Sequence, residues 1–438
     1  MSFIAKVADG LTKYFKSTGA GTVGDPYVPT HNVQQVQGEI FEVNLEQPTN
    51  LDGALNVASI FNIAVYKQDK ARDDLFFDTV TIGTGTAVYQ ANDGGVLMAV
   101  SANADAVIRQ TKQFHPYFSG SPQFAEATSV NMEAVANTEK RLGLFSTDSA
   151  VSPYTASRDG FYMEADGTDL HFKIDKDGTN IFTKVQSLWD DPMDGTGISG
   201  ITLDATKFQA LVIEYLYLGG TDARFGFLIN NRVIWAHTFH NANINASTFV
   251  LSPTQPVRYE IRSTGGTSDL LQVCSRVGSK GSINIIPMEF SYQPPNFVNA
   301  NTVDVIYALC GVKLADLRGI IKISNVWGHA LTADRFTIEV RLNPAVAGTF
   351  TYNVQSDTSY SIALGDSTGN PSTNTVTGGT VLFSRTVTSD QAFQLSFDNK
   401  LFQLGSTIAG VSDELVLCVT PKGANLDVDG GFDIRELL

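Results

Sequence analysis

The stretch RFGFLI-NN-RVIW, residues 224–235, decides the fold class of this chain. Two segments rich in aromatic and β-branched residues flank a pair of asparagines. Asparagine tolerates the positive φ angles that a two-residue type I′ turn requires. The stretch therefore predicts a β-hairpin with a tight turn.

The same signals recur along most of the chain. Polar and apolar residues alternate in LHFKI, residues 170–174, and in PVRYEI, residues 256–261, as in half-buried strands. Asp-Gly pairs, which suit tight turns, begin at Asp9, Asp52, Asp93, Asp159, Asp166, Asp177, Asp194 and Asp429. Nothing alternates strand with helix as a βαβ unit would. We therefore predict an all-β chain built from antiparallel, jelly-roll-like β-sandwiches.

The N-terminus has a different pattern. Ser2 is placed to cap an amphipathic helix that ends near residues 19–21. An extended arm with the sequence GDPYVP follows at residues 24–29. The helix either folds back onto its own domain or docks on another subunit, because a lone short helix is marginally stable. The apolar positions that we assign to assembly are Phe3, Ile4, Val7, Leu11, Tyr14 and Phe15.

A second boundary is expected at QPPN, residues 293–296, because adjacent prolines do not fit a central strand. The predicted organisation is a helix and arm over residues 1–37, a β-sandwich domain over residues 38–292 and a second β-sandwich domain over residues 293–438.

Composition limits the function classes. The net charge of −15 argues against a dominant nucleic-acid contact, which needs dense Lys and Arg. Three widely spaced cysteines form neither a disulfide framework nor a metal motif, and we expect reduced core residues folded in a bacterial cytoplasm. We expect neither a signal peptide nor membrane insertion, because the apolar stretches are too short.

Two arrangements could hold a metal. His237 and His240 are three residues apart, which in a strand places them on opposite faces. The acidic loop DDPMDGTG, residues 190–197, offers carboxylates but lacks the alternating ligands of a calcium loop. The pairs Asp175/Asp177 and Asp427/Asp429 lack them too. We interpret these acids as turn and loop caps and predict no metal ligand.

Catalytic motifs are equally weak. The nearest match to a Gly-x-Ser-x-Gly nucleophile elbow is Gly120-Ser121-Pro122, where the proline disrupts the motif. Gly195-x-Gly197-x-x-Gly200 precedes a strand-like run rather than opening a helix, so it is not a dinucleotide fingerprint. A carboxylate pair for glycoside hydrolysis depends on spacing in space and stays open. We predict no catalytic or cofactor-binding residue and no enzyme.

An ordered series of segments resembles a family of tailed-bacteriophage virion structural proteins. The series comprises VIRQT at 107–111, HPY at 115–117 with Gly120, RLGLF at 141–145, DGFYME at 159–164, WD at 189–190, DGTG at 194–197, SG at 199–200, LD at 203–204, KFQ at 207–209, YLYLG at 215–219, RFG at 224–226, His237, PVRYEI at 256–261, GTFT at 348–351, GG at 378–379, SDEL at 412–415 and REL at 435–437. The chain departs from the family pattern at Gly219-Gly220-Thr221-Asp222 and at Ile434.

The resemblance implies a structural component of the virion that acts through subunit assembly. The first hypothesis is a ring- or sheath-forming tail or head–tail protein. The alternatives are a capsid decoration or fibre protein and a receptor-binding or depolymerising tail protein. The implied partners are copies of the chain, tail tube, portal or adaptor and capsid, with a host surface receptor for the last alternative. In this family pattern Arg224 and Arg258 are expected to pair with acids on adjacent strands.

Overall fold

The structure is a computed structural model that describes residues 60–147, 159–217, 221–280, 288–292, 297–332, 335–348, 350–354, 360–364, 373–388, 392–396, 403–423 and 426–437, together with the backbone of three strands before residue 30. These residues are almost entirely β-strand, and the sheets are antiparallel. The predicted all-β class is confirmed. Within this part of the chain, no helix is long and apolar enough to cross a membrane.

The three N-terminal strands are β1 (Ser2–Lys6), β2 (Thr12–Thr18) and β3 (Val28–Pro29). They pair in the order β1-β2-β3. The rest of residues 1–59 lies outside the described residues. The predicted arm falls largely in this part of the chain, whereas the predicted helix overlaps the backbone of β1 and β2. Both stay predictions.

The first sandwich consists of β4 (Phe61–Lys67), β5 (Phe77–Ile82), β6 (Thr86–Gln90), β7 (Gly95–Val100), β8 (Ala106–Thr111), β9 (Gln123–Val130), β10 (Thr138–Ser146), β11 (Asp159–Ala165), β12 (Leu170–Lys176), β13 (Thr179–Val185), β14 (Gln209–Tyr215), β15 (Asp222–Ile229), β16 (Arg232–His240), β17 (Val257–Ser263) and β18 (Ser268–Ser279). A single 3₁₀ turn, Gln186–Leu188, follows β13.

These strands form two sheets that enclose one hydrophobic core. The seven-stranded sheet has the order β13-β12-β11-β10-β17-β8-β5. The eight-stranded sheet has the order β16-β15-β14-β9-β18-β7-β6, with β4 also paired to β18. Leu142 and Phe172 from the first sheet meet Leu211 and Phe225 from the second in the shared core. Alternate residues on each strand therefore point inward, as the period-two pattern predicted.

The turn predictions are confirmed in part. Ile229 pairs with Arg232, and Asn230 and Asn231 have φ angles of 51° and 62°, so the predicted hairpin is present. Asp-Gly at residues 177–178 likewise forms the turn between β12 and β13. The pairs at residues 159–160 and 429–430 lie inside strands instead. There the ladder contacts of long central strands outweigh the local turn preference.

The second sandwich consists of β19 (Met288–Tyr292), β20 (Val298–Ala300), β21 (Tyr307–Leu314), β22 (Ile320–Ala330), β23 (Phe336–Leu342), β24 (Ala345–Val346), β25 (Asn353–Val354), β26 (Tyr360–Leu364), β27 (Val376–Thr377), β28 (Thr380–Val387), β29 (Ala392–Ser396), β30 (Glu414–Pro421) and β31 (Leu426–Leu437). One sheet has the order β19-β31-β22-β29, and the other has the order β25-β26-β21-β30-β23-β28.

The second sandwich has its own core, in which Ile323 and Phe432 meet Val340 and Leu417. Strand β19 pairs with β31 and so belongs to this sandwich, although it precedes the expected boundary at residue 293. The predicted domain limits themselves stay predictions.

The segment at residues 403–413 joins the two sandwiches through backbone groups. The Ser406 amide donates to the Lys112 carbonyl over 2.8 Å. The Ile408 amide donates to the Asp78 carboxylate over 2.7 Å. Gly405 allows this approach, because a Cβ atom there would lie 2.6 Å from the backbone of Lys112. The contact is therefore close enough to require glycine.

The cysteine prediction is confirmed for two residues and wrong for the third. Cys310 and Cys418 are buried, whereas Cys274 is exposed. A bulge between Gln272 and Ser275 shifts the register of β18 and leaves Cys274 pointing outward.

Candidate functional site

The outer face of the seven-stranded sheet carries buried charges centred on Arg141. Arg141 on β10 lies opposite Glu164 on β11 and Glu260 on β17. Its guanidinium donates to Glu164 over 2.8 Å and to Glu260 over 2.9 Å, and lies 2.6 Å from Glu139. Side chains thus join three adjacent strands in addition to the backbone hydrogen bonds.

The same network extends to both sides of Arg141. Glu164 also accepts a hydrogen bond from Lys173 on β12. Arg258 on β17 donates to Glu260 and, across to β8, to Gln110, each over 2.8 Å. We call the set Glu139, Arg141, Glu164, Lys173, Arg258 and Glu260 the charge ladder.

Burial makes the charge ladder a closed network. The side chains of Arg141, Glu164 and Glu260 are 9%, 3% and 5% exposed. Burial acts to lower the pKa of Arg141, but Glu260, Glu139 and Glu164 raise it well above its ordinary value. Burial acts to raise the pKa of Glu164, but Arg141 and Lys173 bring it below its ordinary value. These carboxylates are held in ion pairs with arginine and lysine side chains. Such pairs connect neighbouring strands and are poorly suited to proton exchange with a ligand.

The expected pairing of the two family arginines is confirmed for Arg224 and only partly for Arg258. Arg224 donates to Glu214 on the adjacent strand β14 over 3.0 Å. Arg258 instead forms an ion pair with Glu260, which lies on the same strand. A two-residue separation along a strand places both side chains on one face, so the ion pair forms within β17.

Arg109 extends into the interior of the sandwich rather than onto the outer face. It donates to Gln272 of the opposite sheet and to Thr79 of β5, each over 2.6 Å. It also donates to the carbonyl of Arg72 over 2.5 Å. Burial lowers the pKa of Arg109 to about 10. This residue of the VIRQT segment therefore connects the two sheets through the core.

Residues 189–204, which contain four short pieces of the family resemblance, form a loop fixed to the sandwich at its base. The Trp189 ring stacks on Phe172 with centroids 3.9 Å apart, and Met193 is fully buried. The Asp191 amide donates to the carbonyl of Ala236 on edge strand β16 over 2.9 Å. We call residues 189–204 the anchored loop.

Asp191 organises the turn of the anchored loop. Its carboxylate accepts hydrogen bonds from the amides of Met193 over 3.1 Å and Ser199 over 2.8 Å. Gly197 packs against that carboxylate, and a Cβ atom at this position would lie 2.0 Å from Asp191 Oδ1. The Gly195 amide also donates to the Ile201 carbonyl over 3.0 Å. The loop is therefore braced by its own residues.

An apolar side chain projects from this braced turn. Ile198 is 98% exposed, although it lies between the packed Gly197 and the hydrogen-bonded Ser199. An isoleucine held in water on an ordered loop is preorganised for contact with an apolar surface. Sequence reasoning missed Ile198, and the only signal was an apolar residue among glycines, hydroxyls and acids.

Among the acidic groups considered for calcium, Asp194 caps local backbone and Asp175 accepts hydrogen bonds from side chains. Asp194 accepts from the Thr196 amide over 2.8 Å and from the Thr196 hydroxyl over 2.6 Å. Asp175 accepts from Tyr162 and Asn180. No group of three or more His, Cys, Asp or Glu residues arranged to hold a metal occurs in the described ranges.

The two histidines lie beside different acids. His237 Nδ1 lies 3.0 Å from Asp190, and His240 Nδ1 lies 3.1 Å from Asp222. His237 is buried and His240 is exposed, as expected for residues on opposite faces of β16.

The residues that we assigned to assembly fall in the N-terminal part of the chain. Val7 and Leu11 lie outside the described residues. The strand backbone includes Phe3, Ile4, Tyr14 and Phe15, but their side chains are not described. The structure therefore leaves that assignment as a prediction.

Comparisons with known proteins give only distant likenesses. No protein-family model and no curated protein matches the chain. Among solved structures, a β-glucanase of Bacillus licheniformis is 9% identical with a TM-score of 0.34, covering 50% of this chain and 98% of its own. A legume lectin-like domain from Entamoeba histolytica is 14% identical with a TM-score of 0.32, covering 50% and 98%. A protein of unknown function from Shewanella oneidensis is 10% identical with a TM-score of 0.34, covering 55% and 95%. TM-scores this low establish neither a shared fold nor a shared activity.

Proposed function

We propose that the chain is a structural subunit of a tailed-bacteriophage virion, in the form of a ring- or sheath-forming tail or head–tail protein. It acts by assembling with copies of itself and with neighbouring particle proteins. The observation that carries the proposal is the anchored loop, in which Trp189 of the family resemblance packs at the buried base and Ile198, between two pieces of that resemblance, is exposed.

The charge ladder supports an assembly role over a catalytic one. Its carboxylates are buried and bound to arginine and lysine, so they fasten strands together. A rigid sandwich that presents a preorganised apolar loop suits a subunit that must fit a fixed symmetry.

Sedimentation velocity and negative-stain imaging of the purified chain test the proposal. We expect closed rotational assemblies from the parent chain and smaller species from Ile198→Asp, because the contact would bury a carboxylate. Val411→Asp is the matched control, since Val411 is 63% exposed in the segment that joins the two sandwiches. A parent chain that stays monomeric at high concentration and is absent from purified virions would overturn the proposal. If both variants lost assembly equally, the anchored loop would not be the assembly contact.

A further inference from the structure

The outer face of the eight-stranded sheet is divided into a charged half and an apolar half. In the charged half, Glu214 accepts hydrogen bonds from Arg224 over 3.0 Å and from Lys280 over 2.7 Å. Nearby, Arg276 pairs with Glu126. Polar residues are the usual outward-facing set on a sheet whose other side forms the core.

The apolar half contains a row of aliphatic side chains across four strands. Val88 on β6 pairs with Leu97 on β7, Leu97 pairs with Leu271 on β18, and Leu271 pairs with Val130 on β9. Their sequence neighbours Met98 and Leu270 point into the core, so this row points outward. We call Val88, Leu97, Val130 and Leu271 the apolar row.

The apolar row is exposed at its Val88 end only, since Leu97 and Val130 are half-buried and Leu271 is buried, and it has apolar neighbours on the same face. Val88 is 52% exposed, and Val65 on β4 is 53% exposed. Cys274, two positions beyond the core-facing Gln272 on β18, is also exposed. An aliphatic row of this kind on the outer face of a sandwich marks a surface that a partner covers.

We infer that the apolar row receives the N-terminal arm, residues 1–37, of a second copy of this chain. The inference deepens the proposed function and rests on it. The chain enters the sandwich at β4, which pairs with the same edge of β18 as β7 does. The residues before β4 therefore emerge on the sheet that carries the apolar row.

The length of the arm permits this contact. Phe61 pairs with Ser279, eight residues along β18 from Leu271, which corresponds to about 27 Å. The 22 residues between the arm and Ile60 span up to about 75 Å when extended. The arm is thus long enough to extend well beyond the apolar row of its own subunit.

Charge and composition favour the arm as the occupant. Its first 16 residues contain Lys6, Lys13 and Lys16 against Asp9, a net charge of +2, whereas the whole chain carries −15. A basic segment is attracted to an acidic body. The same segment carries the apolar residues Phe3, Ile4, Val7, Leu11, Tyr14 and Phe15.

Disulfide trapping in the full-length chain tests the inference. Leu11→Cys places a thiol in the arm, and native Cys274 provides the acceptor, since Cys310 and Cys418 are buried. We expect mild oxidation to give disulfide-linked dimers on non-reducing gels. The control combines Leu11→Cys, Cys274→Ser and Val411→Cys, which keeps the arm thiol and one exposed acceptor thiol but moves the acceptor to the segment that joins the two sandwiches.

Three outcomes would overturn the inference. They are an intramolecular crosslink at monomer mass, no crosslink at all, and equal dimer formation in the control. A second measurement avoids cysteine: Val88→Asp should weaken self-association at least about tenfold, whereas Val381→Asp, at 43% exposure on the second sandwich, should not. Equal effects of the two variants would also overturn it. If rings form without the crosslink, this inference fails alone; if neither rings nor virion incorporation is found, the proposed function fails.

Discussion

Replacing Arg141 with methionine tests whether the charge ladder fastens the first sandwich. Methionine keeps most of the side-chain volume but leaves Glu164 and Glu260, which are 3% and 5% exposed, without their shared guanidinium. Removing one partner of a buried ion pair costs about 3–5 kcal/mol. We expect the free energy of unfolding at pH 7 to fall by about that amount.

A matched variant separates burial from charge. Arg276→Met also removes an arginine from a pair with a glutamate, but the Arg276 and Glu126 side chains are 31% and 20% exposed. Exposed pairs contribute about 0.2–1 kcal/mol, so this loss should be several times smaller.

The pH dependence gives a second and independent criterion. In the parent chain the pKa of Glu164 lies below its ordinary value, because Arg141 and Lys173 outweigh burial. Its contribution is present above the unfolded pKa and is lost as the pH falls through the folded one. Without Arg141, burial favours the neutral acid. The difference in stability between parent and variant should therefore narrow below about pH 5.

Urea denaturation followed by tryptophan emission measures both effects, since Trp189 and Trp235 lie in the first sandwich. A loss in Arg141→Met no larger than in Arg276→Met would refute the reasoning. A difference in stability that is the same at pH 7 and at pH 4 would refute the assigned role of Glu164.

Three further predictions concern the loop, the contact between sandwiches and a buried histidine. Gly197→Ala should destabilise the first sandwich by about 1–3 kcal/mol, because its Cβ atom would lie 2.0 Å from Asp191 Oδ1. The free energy of unfolding is measured by urea denaturation followed by tryptophan emission. Gly405→Val should separate the unfolding of the two sandwiches into two calorimetric transitions, because the side chain would collide with the Lys112 backbone; a single unchanged transition would contradict it. Burial lowers the pKa of His115 to about 4, so the neutral ring contributes stability above pH 6.5 that is lost as the pH falls towards 4. His115→Gln should remove about 3 kcal/mol of that pH dependence, measured as urea midpoints at pH 7.5 and pH 4.5.

Local signals in the sequence predicted the strands well. The hairpin at residues 224–235 and the turn at residues 177–178 depend on residues that are adjacent in the chain, and both are present. The same reasoning failed at residues 159–160 and 429–430, where Asp-Gly lies inside long paired strands. Turn chemistry is a local preference, and neighbouring strands on both sides override it.

The candidate site was much less accessible from sequence. Arg141 and Glu260 are 119 residues apart, and they meet only because β10 and β17 become neighbours in the sheet. The exposure of Ile198 likewise depends on how Asp191 and Trp189 fix the loop to the sandwich. Pairing across strands and the anchoring of loops are non-local, so a single sequence does not encode them in a readable pattern.

The sequence alone thus determined the strand-rich class, because alternation and turn residues act within a few positions of one another. It also placed the resemblance to virion proteins on named segments. Only the tertiary structure decided that Arg141 and Arg258 lie in one buried network of ion pairs. It also decided that Asp191 and Asp194 cap the backbone of the anchored loop while Ile198 is exposed. It alone placed the apolar row on a single face, since Val88, Leu97, Val130 and Leu271 come from four strands that the sheet order brings together.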